Sequence, residues 1–163
     1  MKTVVKHVIS FILPIAVLIV VPLLIEQQWV VRSVFCLLFG GIILLTGLML
    51  MSSAVVAFIR WGSGTLAPWF PTPKLTTTGP YAYVRNPMIT GVFITLCGEA
   101  ILILSYSILL WAIAFFLIND IYFLIYEEPY LERKFGEPYR QYKLNVPRWI
   151  PRFKKNSTED KHT

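Results

Sequence analysis

Four apolar stretches, Val8 to Ile25, Val34 to Ile59, Met88 to Leu104 and Ile108 to Tyr126, constrain this chain of 163 residues more than any other feature. Each is close to the roughly 20 residues that a helix needs to cross the hydrocarbon core of a bilayer. Lipid offers the backbone no hydrogen-bond partner, so stretches of this kind become helices. The expected fold class is all-α integral membrane with four transmembrane helices. Only 15% of the residues are charged and 56% are apolar, against about 25% charged in soluble domains, which sets a soluble reading aside. The first stretch follows Lys2 and Lys6 as a signal peptide would, but Pro22, Leu23, Leu24, Ile25 and Glu26 offer no small-residue cleavage site, so it is read as a span. Only Ser105, Tyr106 and Ser107 separate the last two stretches, which predicts a tight antiparallel hairpin.

With four spans, the N-terminus, the 60–87 loop and the C-terminal tail lie on one side, and that side carries 14 of the 15 Lys and Arg residues; Arg32 is the exception. Positive flanks stay cytoplasmic, so both termini are expected inside the cell. The net charge of +6 is thereby explained by topology. No basic run interleaved with aromatics points to nucleic acid. Cys36 and Cys97 both fall in apolar stretches and read as buried thiols, and no metal site is expected. The 60–87 loop holds Gly62, Gly64, Pro68, Pro71, Pro73, Gly79, Pro80 and Pro87, too many breakers for a long regular element. Beyond it, Leu131, Phe135, Tyr139 and Tyr142 draw one apolar stripe, which predicts a cytoplasmic amphipathic tail helix over 127–145. Arg148, Trp149 and Arg152 are expected to anchor its exit in the headgroup layer. Residues 1–153 form a single membrane-embedded domain on this reading, and 154–163 read as disordered.

Carboxylates inside a lipid span are costly, so Glu99 and Asp120 should face protein, water or a ligand. Asp120 and Glu127 are seven residues apart, two turns along one helical face, beside Asn119, Tyr122 and Tyr126. An acidic site lined by aromatics suits a cationic ligand. The bland alternatives are a Glu99 that bonds a neighbouring helix, and a Glu127–Glu128 pair that merely favours a helix N-terminus. In the segment TGPYAYVRNP, Tyr81, Tyr83 and Arg85 can be an interfacial belt. They can equally be an anion site, since Asn86 and Pro87 open a helix whose first amides are free.

Several blocks resemble the integral-membrane methyltransferases that include isoprenylcysteine carboxyl methyltransferases and phospholipid N-methyltransferases, in particular their small bacterial members. These are GTLAP from Gly64, GPYAYVRNPM from Gly79, GEA from Gly98, and EEPYLERKFGEPYRQY from Glu127 together with the later VPRWIP. The resemblance implies methyl transfer from S-adenosyl-L-methionine without a Rossmann domain, and the chain has no GxGxxG turn. It implies an inner-membrane protein whose partners are the bilayer and a lipophilic acceptor, with no obligate protein partner. Carried over by position, Lys74, Leu75, Thr76, Tyr81, Asn86, Pro87, Met88 and Ile89 correspond to the cofactor-contacting stretch, and Glu127 is its acidic contact; Arg85, read above from the residue pattern as an anion contact, is expected beside them. Many relatives have His and Tyr where this chain has Asn86 and Ile89. The prenylcysteine enzymes place an Arg, which engages the substrate carboxylate, four residues before the acid. Here that residue is Phe123, which argues against a prenylcysteine carboxylate as acceptor.

A sulfonium already activates its methyl group, so positioning and desolvation should supply most of the rate. An amine, thiol or hydroxyl acceptor must also lose a proton, for which Glu128, Glu99 and Asp120 are the candidates, and Glu127 and Glu128 are the expected catalytic pair. Two alternatives stay open at this point. One is an NADPH-dependent membrane reductase resembling the sterol reductases. The other is a small four-helix transporter with Glu99 as its coupling acid.

Overall fold

The computed structural model describes residues 12–62 and 74–151. The start of the first apolar stretch, the GTLAP block and the 154–163 tail lie outside the described residues. All regular structure among the described residues is helical. The helices are α1 (Ile12–Ile25), α2 (Val34–Trp61), α3 (Pro87–Ile103), α4 (Tyr106–Phe135) and α5 (Glu137–Asn145). A single turn of 3₁₀ helix, Gly79–Ala82, precedes α3.

Helices α2 and α4 are long and apolar enough to cross a membrane, and only 17% of their most apolar windows is buried inside the protein. The rest points outward: Phe35 and Met49 on α2 are each 72% exposed. Large aliphatic and aromatic side chains left bare on this scale need lipid around them, and the chain is a membrane protein. Helices α1 and α3 are apolar but shorter.

The centre of the fold is the antiparallel pair of α2 and α3. Leu102, Gly98, Thr95 and Gly91 of α3 lie in register against Gly40, Leu44, Gly47 and Met51 of α2, so that at each of these levels one partner is a glycine. A Cβ at Gly40 would sit 2.7 Å from the backbone nitrogen of Leu102, and one at Gly91 would sit 2.6 Å from that of Met51. Close backbone approach of this kind is how helices associate in lipid, where apolar side chains gain nothing by leaving an equally apolar solvent. On another face of α3, Val92 and Leu96 pack with Ala112 and Phe115 of α4 and with Val17 and Leu18 of α1.

The hairpin expected between the last two apolar stretches is present. Leu104 adopts the left-handed conformation (φ 55°) that ends α3, and Ser105 caps α4 by accepting a hydrogen bond from the Ile108 amide at 3.2 Å. The Ser105 hydroxyl also donates to Glu26 Oε2 at 2.5 Å, which ties the end of α1 to the hairpin. Ser105→Ala loses both bonds and should cost about 1 kcal/mol, seen as a fall of a few degrees in the detergent-solubilised Tm with the helical circular dichroism intact.

Two boundaries differ from the sequence expectation. α4 does not stop near Tyr126 but runs on to Phe135. The tail helix expected over 127–145 is then broken at Gly136, whose φ of 62° ends one helix and starts the next. The stripe from Leu131 to Tyr142 ignored a glycine able to reverse φ at no steric cost.

Candidate functional site at the tail end of the bundle

Around the start of α3, the chain is held from two sides. Tyr81 is buried against Ala54 and Ala57 of α2. The Tyr142 hydroxyl of α5 donates to the Tyr81 carbonyl at 2.7 Å, and the Arg85 amide donates to the Pro147 carbonyl at 2.9 Å. Residues 137–149 thus fold back over the 79–86 turn. Burial pushes the Tyr81 and Tyr142 phenols above their usual range, and burial together with the Glu128 charge pushes Tyr139 up to about 12. All three remain neutral hydrogen-bond donors at physiological pH.

Beside this turn lies a charged network centred on one buried carboxylate. Glu128 is 4% exposed. Its Oε1 meets Arg148 Nε at 2.7 Å and Arg85 Nη1 at 3.0 Å, and its Oε2 meets Lys143 Nζ at 3.2 Å. Arg148 continues to Asp120 Oδ1 at 2.9 Å, and the Trp149 indole donates to the same oxygen at 2.8 Å. The Trp149 ring lies against Phe116 (4.8 Å between centroids) and Phe123 (5.9 Å). A cleft of about 350 Å³ opens between Glu128 and the Arg133, Arg140 and Lys143 side chains.

The juxtaposition of Asp120 with Glu128 comes from an irregular turn. Residues Phe123–Glu127 form a π-helical turn inside α4, which accommodates one extra residue and shifts the register of the helix beyond it. Asp120 therefore shares a face with Glu128, eight residues on, and not with Glu127 as regular spacing predicts. Glu127 faces the Tyr122 hydroxyl instead. The rings of Tyr122 and Tyr126 stack beside it at 5.9 Å, and Glu127 has no ion pair among the described residues.

Of the stretch carried over from the resemblance, Thr76, Tyr81 and Pro87 are buried, Leu75, Asn86, Met88 and Ile89 are half-buried, and Lys74 is exposed. Met88 packs on the Ala54, Ala57 and Tyr81 cluster, and Ile89 packs on the core of Val92 and Leu96. Asn86 caps α3 through its backbone, its carbonyl accepting from the Thr90 amide and hydroxyl at 3.1 and 3.0 Å. In the 74–89 stretch two residues carry buried polar atoms without a hydrogen-bond partner among the described residues: Thr76 at Oγ1, and Arg85 at Nε and at Nη1, the latter meeting Glu128 off hydrogen-bond alignment.

Glu99 does not join this assembly. It lies twelve residues beyond Pro87 on α3, about 18 Å along the axis at 1.5 Å per residue, and its Oε2 is buried with no partner among the described residues. Arg148 and Trp149, expected as headgroup anchors, turn inward to Glu128 and Asp120, because the buried Glu128 carboxylate demands compensation and the partly exposed Asp120 offers the same cation a second acceptor. Lys143 was not anticipated. Its lone signal is its position on the same face of α5 as Tyr139, four residues earlier.

A family model for phospholipid methyltransferases matches residues 35–138. The chain belongs to the phospholipid methyltransferase family. The match runs from the start of α2 through the 79–86 turn and all of α4 to the beginning of α5. A protein-S-isoprenylcysteine O-methyltransferase of Schizosaccharomyces pombe is 40% identical over 83 residues, which are 47% of this chain and 33% of that protein. The matched part is therefore about a third of the relative's length. No solved structure matches the chain.

Proposed function

We propose that this protein is an S-adenosyl-L-methionine-dependent methyltransferase that acts on a lipophilic acceptor at the cytoplasmic side of a membrane it crosses four times. The observation that carries the proposal is the family match over 35–138, because that segment holds the 79–86 turn and both acids of the π-helical region. Helices α1 and α3 serve as the two shorter spans, and the excess of Lys and Arg on the loop and tail side favours placing both termini in the cytoplasm.

The donor set fits a zwitterionic cofactor. Thr76 Oγ1 and Arg85 Nε are buried donors in want of acceptors, suited to a carboxylate or ribose hydroxyl. Glu127, without an ion pair among the described residues and flanked by two stacked tyrosines, is suited to a sulfonium or ammonium. Lys74, Leu75, Asn86, Pro87, Met88 and Ile89 would complete the wall. When bound, S-adenosyl-L-methionine supplies an activated methyl group. The protein's share is to hold the acceptor in line, exclude water and accept a proton, and Glu127 is the acid left uncompensated for that last task.

At about 4 Å and an effective dielectric near 20, one carboxylate offers a cation about 4 kcal/mol before desolvation. Glu127→Gln should therefore weaken S-adenosyl-L-methionine binding about tenfold once desolvation is returned, read by calorimetric titration of the folded variant in detergent, with the sulfonium-free S-adenosylhomocysteine compared alongside. NADPH is the parallel ligand. Saturable binding of S-adenosylhomocysteine alone supports the proposal, and binding of neither overturns it. In that event the partnerless Glu99 Oε2 favours a transport role, tested by proton-coupled uptake in vesicles with Glu99→Gln as the control.

A further inference from the structure

Among the acids that sequence reasoning offers as proton acceptors, Glu128 is set apart by what surrounds it. Its side chain is 5% exposed, and three cations from three separate segments converge on its two oxygens. Arg85 comes from the turn before α3, Lys143 from α5, and Arg148 from the bent segment after α5. Glu128 itself belongs to α4. No other described acid pairs with cations from all three of the other segments. A carboxylate held this way has little reason to take up a proton, because each of the three partners favours its charged form. It has every capacity to fix the cations, since Arg85, with a side chain only 11% exposed, depends on it for compensation.

We infer that Glu128 is a positioning residue, whose buried carboxylate clasps Arg85, Lys143 and Arg148 and so holds residues 137–149 closed over the 79–86 turn. The uncharged bonds across the same seam, Tyr142 to the Tyr81 carbonyl and the Arg85 amide to Pro147, set the fit of the two surfaces, and the clasp keeps them together. Tyr139 and Glu132 complete the surroundings, the neutral Tyr139 packed at Arg85 and Glu132 reaching Lys143 at 3.9 Å. Acting through Arg85, the clasp also governs the geometry of whatever Arg85 Nε binds. That part of the inference rests on the proposed cofactor site, whereas the clasp itself does not.

Two measurements separate them. Hydrogen–deuterium exchange on the detergent-purified protein without ligand reads the clasp directly. Glu128→Gln should raise exchange of the 79–86 and 137–149 amides about tenfold while α2 and the first half of α3 stay protected, and Glu128→Asp, which keeps the charge, should restore most of the protection. Calorimetry with S-adenosylhomocysteine reads the consequence. E128Q should weaken binding about tenfold, and the double variant with Arg85→Met should be no weaker than R85M alone, because both act through one group. Unchanged exchange in E128Q overturns the clasp, as does exchange in E128D as fast as in E128Q. Additive losses in the double variant overturn the route through Arg85. Should the wild-type protein bind no S-adenosylhomocysteine, the functional proposal falls, and the exchange result still decides the clasp.

Discussion

Replacing Gly98 with Leu should prevent α2 and α3 from pairing and leave little monodisperse protein after detergent extraction. A Cβ at Gly98 would meet the backbone and Cβ of Leu44 at a distance no folded protein tolerates, and backbone cannot rotate away as a side-chain tip can. The helices would have to separate along their whole interface, because Gly40, Gly47 and Gly91 lie in the same register. The cost is at least about 3 kcal/mol, the upper range for overpacking a fitted core. Gly41→Leu is the matched control. It lies one residue from Gly40 on the same helix, yet a Cβ there meets nothing within 4 Å, so its effect should stay within about 0.5 kcal/mol. Size-exclusion profiles and thermal unfolding of the two variants, prepared side by side, check the pair. Equal behaviour would show that the α2–α3 contact is not what assembles the bundle.

The second large effect is expected for Arg148→Ala, which removes the group bridging Glu128 to Asp120. Deleting one partner of a buried ion pair costs about 3–5 kcal/mol. Here Arg148 is 20% exposed, Glu128 keeps Arg85 and Lys143, and Asp120 keeps the Trp149 indole, so about 2 kcal/mol is expected. The loss should be local. Trypsin should cut within 137–151 several-fold faster, with the α2–α3 pair intact and the Tm lowered by several degrees. Arg133→Ala, on α4 one turn beyond Glu128 but outside the network around it, should change neither. A loss of stability in R133A equal to that in R148A would indicate a generic effect of charge on the tail.

Much of this was legible in the sequence because lipid enforces simple rules. The described parts of the four apolar stretches are all helices, and the hairpin at Ser105 came from a gap too short for anything else. The glycines that fix the α2–α3 register were visible as residues but not as a contact, since pairing them needs the partner's register as well as one helix's spacing. In the candidate site, Arg85, Glu128 and Asp120 were all singled out, while their mutual pairing was hidden. A regular helix puts Asp120 above Glu127, and a single π-helical turn puts it above Glu128. Such a turn leaves no compositional mark in FLIYE. The inward course of Arg148 and Trp149 was hidden for a related reason, because a basic and aromatic pair after an amphipathic helix has the composition of an interfacial anchor.

The intimacy of α2 and α3 has a bearing on traffic between the bilayer and the tail end of the bundle. Where two backbones touch through glycine, no gap remains for an acyl or prenyl chain to thread, and opening one would mean parting the contact that organises the fold. That seam is a wall. If the site proposed above takes a lipophilic acceptor, sideways passage toward it is left to the flanks built from α1 and α4, whose facing surfaces are larger side chains that can change rotamer and make room.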